Sequence, residues 1–216
     1  MADPDQTRSI YHLLAQKLDE LPNGFPATPD GAELRLLAKL FSPEEASLAA
    51  CLSAEWQTPE QILLNAARNE DPKETGQMLK GMVRKGLIEA SRTGQGMGFK
   101  LMTFVVGIYE MQIGRIDAEL ARLFEDYYTQ AFGEVLTIQP SYHRVIPVEE
   151  SVQVGLEIRP FESATEIIDR AQAWGVLDCI CRTQKALIGE PCEHPLEVCM
   201  AFAPTPGAFD HSAVVR

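Results

Sequence analysis

The sequence has little positive charge and no long apolar run. Its 19 Lys and Arg residues stand against 31 Asp and Glu residues, which gives a formal net charge of −12 at pH 7. A chain this acidic has no broad electrostatic affinity for nucleic acid, because phosphate backbones attract basic surfaces. No stretch reaches the roughly 18 uninterrupted apolar residues that a membrane-spanning helix needs. We therefore expect an acidic protein that does not cross a membrane.

Sequence patterns that mark common enzyme classes are also missing. The chain has no P-loop, no G-x-G-x-x-G fingerprint and no nucleophile elbow. His12, His143 and His211 are scattered singly, which favours structural or solvated roles. The pair Glu149-Glu150 is typical of a solvated turn rather than of an acid–base couple. We predict no catalytic residue and a protein that works with a partner rather than as a stand-alone enzyme.

A secretory start is absent as well. Residues 1–10 contain no apolar run after a basic start, so we expect the thiols to stay in a reducing, cytoplasmic compartment. The 216 residues suffice for one large or two small domains. A content of 45% hydrophobic and 23% charged residues indicates an ordered, globular protein.

The cysteines are concentrated in one stretch. Four of the five lie between residues 179 and 199 with the spacing C-x-C-x10-C-x6-C. Four thiolates on a short loop with Pro and Gly residues suit a metal centre that takes sulfur ligands, either an iron–sulfur cubane or a structural zinc. The four candidate ligands are Cys179, Cys181, Cys192 and Cys199.

The spacing favours a cluster over zinc and leaves zinc as the alternative. Disulfides would need an oxidising compartment. Structural zinc usually recruits pairs spaced C-x2-4-C, whereas here one pair is C-x-C and the other has six residues between its cysteines. A cubane takes one thiolate at each iron and tolerates wider spacing. The fifth cysteine, Cys51, is predicted on the apolar face of a helix with Leu48 and Leu52, so we interpret it as core packing.

Two runs around these cysteines carry a resemblance to a known family. They are LDCICR from residue 177 and GEPCEHPLEVCMAF from residue 189. They resemble a family of iron–sulfur proteins of anaerobic bacteria and archaea, which have an N-terminal winged-helix-like region, a C-x-C-R…C-x-x-P-L-E-x-C segment and a two-cluster ferredoxin domain. Upstream, the resemblance extends through 21–26, 33–37 and 41–46.

The resemblance implies a 4Fe-4S cluster on the four cysteines. The family's ferredoxin domain is not among the 216 residues, so we expect one cluster rather than a long-range electron relay. A cubane with four thiolates carries negative charge and needs nearby cations and N–H donors. Arg182 and Lys185 follow the second ligand and are our candidates for that role, Arg182 also being part of the family motif. We expect Trp174, Met200 and Phe202 to form an apolar wall around the site.

The N-terminal half predicts a winged-helix-like region in a fold that is mainly α with small β. Apolar periodicity predicts helices over 7–21, with Ile10, Leu13, Leu14, Leu18 and Leu21 on one face, and over 31–40. Capping residues followed by proline then predict helix starts at Pro43, Pro59 and Pro72. Gly86 ends the last helix, and residues 87–106 predict a β-hairpin.

Such a region could bind DNA through the helix from Pro72 and a wing at residues 92–100. Between residues 71 and 100, six basic residues face three acidic ones, which is a thin positive patch in a chain of net charge −12. Gln77 and Lys80 could contact bases, yet docking or scaffolding is favoured over DNA. The basic residues are Lys73, Lys80, Arg84, Lys85, Arg92 and Lys100.

A lobe boundary is predicted between residues 134 and 135, which separates the helical region 1–134 from a small α+β, Cys-rich lobe at 135–216. Before the boundary, one long helix is predicted over 108–132 with Gly133 as its stop, and it could pair with its mate in a homodimer. Its apolar stripe consists of Ile113, Ile116, Leu120, Leu123, Phe124 and Tyr127. After it we expect a strand over 143–148 and a helix from a capping box at Ser163 to Trp174. Val176 and Leu177 then lead into Cys179.

Three functions remain open at this point. The leading one is an iron–sulfur protein with one 4Fe-4S cluster that acts as an electron carrier or as a redox subunit for a partner protein. The second is a redox- or oxygen-responsive regulator whose winged helix binds DNA. The third is a docking module stabilised by zinc.

Overall fold

The structure, a computed structural model, describes residues 4–137, 164–210 and 215–216. The chain divides into two compact units, Met1–Ile138 and Gln139–Arg216. The described residues are mainly helical and form two small, antiparallel, two-stranded sheets, which confirms the mainly α fold with small β. Within those ranges, no helix combines the length and apolar character required to cross a bilayer.

Unit 1 begins with two amphipathic helices, α1 (Pro4–Asp19) and α2 (Ala32–Leu40). Leu14 and Leu18 of α1 are fully buried, as predicted. Leu13 was predicted on the same face, but 54% of it is exposed. Tyr11 takes part in the core instead, and its hydroxyl donates a 2.9 Å hydrogen bond to the carbonyl oxygen of Phe41. The buried face of α1 is therefore rotated slightly from the predicted one.

Three short helices follow, and each begins at a predicted proline. They are α3 (Pro43–Ala49), α4 (Pro59–Asn65) and α5 (Pro72–Arg84). Full capping boxes close the first two N-termini, with Ser42 and Thr58 as the capping residues. Asp71 caps α5 by accepting a 3.0 Å hydrogen bond from the Lys73 N–H. Just past α5, Gly86 has a φ of 72°, the left-handed conformation that glycine adopts most easily.

The predicted hairpin is present as β1 (Ile88–Thr93) and β2 (Gly96–Leu101). The strands pair from Ile88 opposite Leu101 to Thr93 opposite Gly96. Gln57, just before α4, forms a bridge with Phe99 through backbone hydrogen bonds of 3.0 and 2.8 Å. The sheet edge is thereby tied to the start of α4.

The long helix predicted over 108–132 is wrong. The chain instead makes an irregular turn at Phe104–Ile108, a 3-10 turn at Glu110–Gln112 and a break before α6 (Ala118–Tyr127). Two features cause the break: Gly114 has a φ of 73°, and the Asp117 carboxylate starts a new helix by accepting a 2.8 Å hydrogen bond from the Leu120 N–H.

The helical conformation then continues past α6. A π-helical turn at Tyr128–Phe132 leads into the short α7 (Gly133–Val135), so Gly133 does not end the helix as predicted. Leu120, Phe124 and Tyr127 of the predicted stripe are buried within unit 1. The continuous helix expected to mediate a homodimer is thus not found in the described part of the chain.

Aromatic rings fill the core next to α6. The Tyr109 and Phe124 rings stack with centroids 3.7 Å apart, and the Phe25 ring lies 4.8 Å from that of Phe104 and 4.7 Å from that of Tyr127. Burial raises the pKa of the Tyr127 hydroxyl far above its ordinary value of 10.0. The cluster fixes the irregular segment after β2 against α6.

The described part of unit 2 consists of α8 (Ala164–Arg170), β3 (Ala173–Asp178), α9 (Ile180–Leu187) and β4 (Glu197–Ala203). The predicted helix to Trp174 is too long, because α8 ends at Arg170 and Trp174 lies in β3. The strands are antiparallel, with Ala173 opposite Ala203 and Leu177 opposite Cys199. The strand predicted over 143–148 and the capping residue Ser163 lie outside the described residues.

Candidate metal centre

Secondary structure places three of the four candidate cysteines at one end of the β3–β4 sheet. Cys179 directly follows β3 and is the N-cap residue of α9, and Cys181 is the second residue of that helix. Cys199 lies in β4 opposite Leu177. The Cys179 N–H donates a 2.7 Å hydrogen bond to the carbonyl oxygen of Leu196, which holds the start of α9 beside the start of β4.

Cys192 lies in the loop between α9 and β4, and this loop is attached to α9 on both sides of the cysteine. Before it, Glu190 forms a 2.9 Å ion pair with Lys185 and donates a 2.8 Å backbone hydrogen bond to the Lys185 carbonyl. After it, the Arg182 guanidinium donates a hydrogen bond to the carbonyl oxygen of Pro195. Because Cys192 is three residues from Pro195, about 11 Å of extended chain at most separates them.

The two predicted cationic residues therefore lie on α9 beside the cysteine segment and also hold its loop. Arg182 is half-buried and joins the helix to the turn before β4. Lys185 is one turn further along and faces Glu190. Both side chains therefore contact the loop that carries Cys192, Arg182 through the Pro195 carbonyl and Lys185 through the Glu190 carboxylate.

Arg216, which no sequence pattern singles out, closes the same end of the sheet. Its guanidinium lies 2.9 Å from the Asp178 carboxylate at the end of β3 and 3.0 Å from the Glu197 carboxylate at the start of β4. The Arg216 N–H and carbonyl also exchange backbone hydrogen bonds of 2.9 and 2.8 Å with Val176. The hydrogen bond with Asp178 raises the pKa of Arg216 above its ordinary value, so the clamp stays charged.

The site favours anionic ligands at the start of α9. The first N–H groups of a helix have no partner within it and carry partial positive charge. Cys179 and Cys181 are attached to this first turn. Cys179 and Cys199 are half-buried, Cys181 and Cys192 are exposed, and none of the five cysteines forms a disulfide. The donor set is thus four accessible thiols, a set that suits iron–sulfur and zinc centres alike.

The side chains do not converge on one point. Within the described ranges, no group of three or more His, Cys, Asp or Glu side chains has an arrangement that could hold a metal ion. The structure therefore brings the backbone segments of the candidate ligands to one region without gathering the four sulfur atoms.

The predicted apolar wall faces the other way. Trp174 pairs with Phe202 across the sheet, and Met200 pairs with Val176. Successive side chains of a strand point to opposite faces, so Met200 and Phe202 lie on the face opposite Cys199. Trp174 and Met200 are 54% and 53% exposed. These three residues line an outer sheet face rather than the thiols.

The described part of unit 2 has a very small core. Only four of its residues are buried: Ala173, Gly175, Ile180 and Gln184. By contrast, the buried Leu, Phe and Tyr side chains that make up most of the core belong to unit 1. Small domains that cannot bury enough apolar surface are usually held together by disulfides or by a metal.

Cys51 is in unit 1 and sits two residues beyond the end of α3. Its thiol is half-buried, donates a 3.3 Å hydrogen bond to the Ser47 carbonyl and lies 3.6 Å from the Arg68 guanidinium. It therefore contributes to local packing, although less deeply than Leu48 or Leu52, which are 3% and 2% exposed.

Comparisons with known proteins return no relative: no family model, no curated protein and no solved structure matches this chain.

Proposed function

We propose that this chain binds one 4Fe-4S cluster through Cys179, Cys181, Cys192 and Cys199 and passes single electrons to or from a partner protein. A 4Fe-4S cluster supplies reversible one-electron chemistry when it is bound. The chain's own part is to supply the thiolates, neutralise their charge and limit solvent access.

The observation that carries the proposal is the combination of four thiols outside any disulfide with few buried residues in the described part of unit 2. The described part of unit 2 buries four residues, yet it forms a regular sheet and helix around the cysteines. Metal ligation supplies stabilisation where hydrophobic burial is insufficient, because the free energy of binding becomes free energy of folding. The four thiols are the residues in this unit best suited to provide it.

The distribution of the thiols supports a cluster over a zinc ion. They come from a helix N-terminus, a loop and a strand, whereas zinc pairs usually share one tight turn. A cubane offers four separate iron corners and accommodates ligands that approach from several elements.

Arg182 would offset part of the negative charge of the thiolate ligands, whereas the charge of Lys185 is already balanced by its 2.9 Å ion pair with Glu190. Each already holds the Cys192 loop, Arg182 through Pro195 and Lys185 through Glu190. Closing the loop over a metal centre would therefore move the thiol and the cations together.

We also propose that residues 43–101 of unit 1 form a winged-helix-like module. The support is the order α3, α4, α5 and hairpin, together with the Gln57–Phe99 bridge that adds a short extended segment to the sheet.

Anaerobic reconstitution of the full chain with iron and sulfide tests the cluster. We expect iron and labile sulfide in the amounts of one cubane per chain, and an electron paramagnetic resonance signal after one-electron reduction. Cys192→Ser should lose most of the bound iron. Cys51→Ser is the matched control and should keep all of it, because Cys51 lies in unit 1.

One zinc per chain without labile sulfide would instead identify the zinc-stabilised module. Equal loss of iron in Cys51→Ser and Cys192→Ser would show that these four cysteines are not the ligand set.

A further inference from the structure

The exposed face of α5 carries cations that have no carboxylate partner in the part of the chain that the structure describes. Lys73, Lys80 and Arg84 are exposed and form no ion pair among the described residues, and the same is true of Arg92 in β1. The other two basic residues of this region are neutralised within unit 1. Lys85 lies 2.7 Å from Glu45, and Lys100 lies 3.2 Å from Glu89.

These side chains form one continuous stripe. Lys73, Gln77, Lys80 and Arg84 are spaced by four, three and four residues, which places them on one face of a helix. Gln77 is exposed like the cations. The stripe runs from Lys73 to Arg84, about 16 Å along the helix axis.

A shallow groove of about 490 Å³ runs beside the stripe, between α5, the start of α4 and the hairpin turn. Gln77 and Lys80 line it on the α5 side, and Gln95 lines it on the hairpin side. Gly76 also lines the groove and packs against Pro59, whose Cγ atom would lie 3.5 Å from a Cβ atom at residue 76. The groove therefore offers amide groups flanked by positive charge.

One carboxylate borders the groove. Hydrogen bonds from its own backbone N–H and from Thr58 lower the pKa of Glu60, so this group is ionised at neutral pH. Its charge repels an anionic ligand at the α4 side and directs it toward Lys80 and Arg84.

We propose that this stripe of α5 docks into the major groove of duplex DNA. A helix about 10–12 Å across fits a groove about 12 Å wide, and unpaired Lys and Arg side chains complement phosphate charge. Gln77 at the centre of the stripe can donate to and accept from the edge of an adenine. An acidic protein surface would use the same cations but would leave the Gln77 amide without a specific role, whereas the Gln95 oxygen already accepts a 2.8 Å hydrogen bond from Gln61.

The assay uses the anaerobically purified full chain and a fluorescein-labelled mixed-sequence duplex, with binding followed by anisotropy across a salt series. Four phosphate contacts predict a slope of log K against log salt of about −3.6. Lys80→Ala with Arg84→Ala should weaken binding on all sequences and reduce that slope by about 2. Arg122→Ala removes one exposed charge from α6 and should change neither value.

A variant that binds DNA more tightly distinguishes the loss of a DNA contact from the loss of the fold. Glu60→Gln removes the opposing charge and should tighten binding a few-fold, which a damaged fold cannot do. The proposal is overturned if no anisotropy change occurs at low salt. It is equally overturned if polyglutamate of matched charge competes as well as unlabelled duplex, since that result indicates an acidic protein partner. None of these residues belongs to unit 2. A failure of the DNA-docking proposal therefore leaves the cluster proposal untouched.

Discussion

At the scale of the residue, Gly175 shows how closely the chain packs beside the cysteines. It lies in β3, one residue before Val176, whose backbone pairs with Arg216. A Cβ atom added at Gly175 would lie 1.9 Å from the Cγ1 atom of Val215, far inside van der Waals contact. The pairing that positions the Arg216 clamp therefore needs a residue without a side chain at this position.

Gly175→Ala should push residues 215 and 216 away from β3. Overpacking of this kind typically costs about 1–3 kcal/mol. We expect the protection of the Val176 amide against hydrogen exchange to fall about tenfold or more, since about 1.4 kcal/mol corresponds to a factor of ten. Gly94→Ala is the control, because no atom lies within 4 Å of its added Cβ. If the protection of the Val176 amide did not change, the pairing of residues 215 and 216 with β3 would not depend on the absence of a side chain at Gly175.

The residues of the candidate site differ in how readily the sequence alone identifies them. The four cysteines stand out because their spacing is itself a property of the sequence. Arg216 carries no such signal, because its two ion pairs join residues 38 and 19 positions away and exist only once β3 and β4 are paired. Trp174, Met200 and Phe202 are apolar, but which sheet face they occupy depends on the register.

At the scale of the element, capping residues predicted helix starts more reliably than apolar periodicity predicted helix lengths. The starts of α3, α4 and α5 follow from local chemistry, a capping side chain followed by proline, and all three are confirmed. The helix predicted over 108–132 failed because its apolar stripe continues across a break. Gly114 and Asp117 were the available signals, and they acted as a left-handed turn and a new cap.

Asp117 should stabilise α6 mainly as a cap. The Leu120 N–H, and after it the Lys39 ammonium, lower the pKa of the Asp117 carboxyl below its ordinary value of 3.8. We expect Asp117→Ala to lower the free energy of unfolding of unit 1 by about 1 kcal/mol at pH 7. Asp117→Asn should lose much less, because asparagine caps equally well and the ion pair with Lys39 is exposed and screened.

The contribution of the charge should depend on pH. A carboxyl whose folded pKa is depressed stabilises the fold fully above 3.8, and this contribution declines as the pH falls through the lower folded pKa. The difference between wild type and Asp117→Asn should thus shrink in acid. Urea unfolding followed by Trp56 fluorescence in a Trp174→Phe background reports unit 1 alone. A difference that grows in acid would contradict the assignment.

At the scale of the whole molecule, the two units are stabilised differently. Unit 1 has a dense core of aromatic and aliphatic side chains, joined by capped helices. The described part of unit 2 depends on backbone pairing between β3 and β4, on the Arg216 clamp and on the attachments of the Cys192 loop. Hydrophobic patterning therefore predicts much of unit 1, whereas the described part of unit 2 is held by backbone pairs and ion pairs between residues that are far apart in the sequence.

Removing the proposed cluster should lower the stability of unit 2 and leave that of unit 1 unchanged. Ligand binding to the folded state alone adds stability in proportion to its affinity, and a small domain loses that stability with its metal. After oxidation and chelation of the iron, we expect amides of β3, α9 and β4 to exchange much faster, while those of α1, α2 and α6 keep their protection. Reconstituted Cys51→Ser, treated in parallel, should behave as wild type. If instead both units lost protection together, the folding of unit 1 would be coupled to the metal; if neither did, the cysteines would not hold unit 2 together.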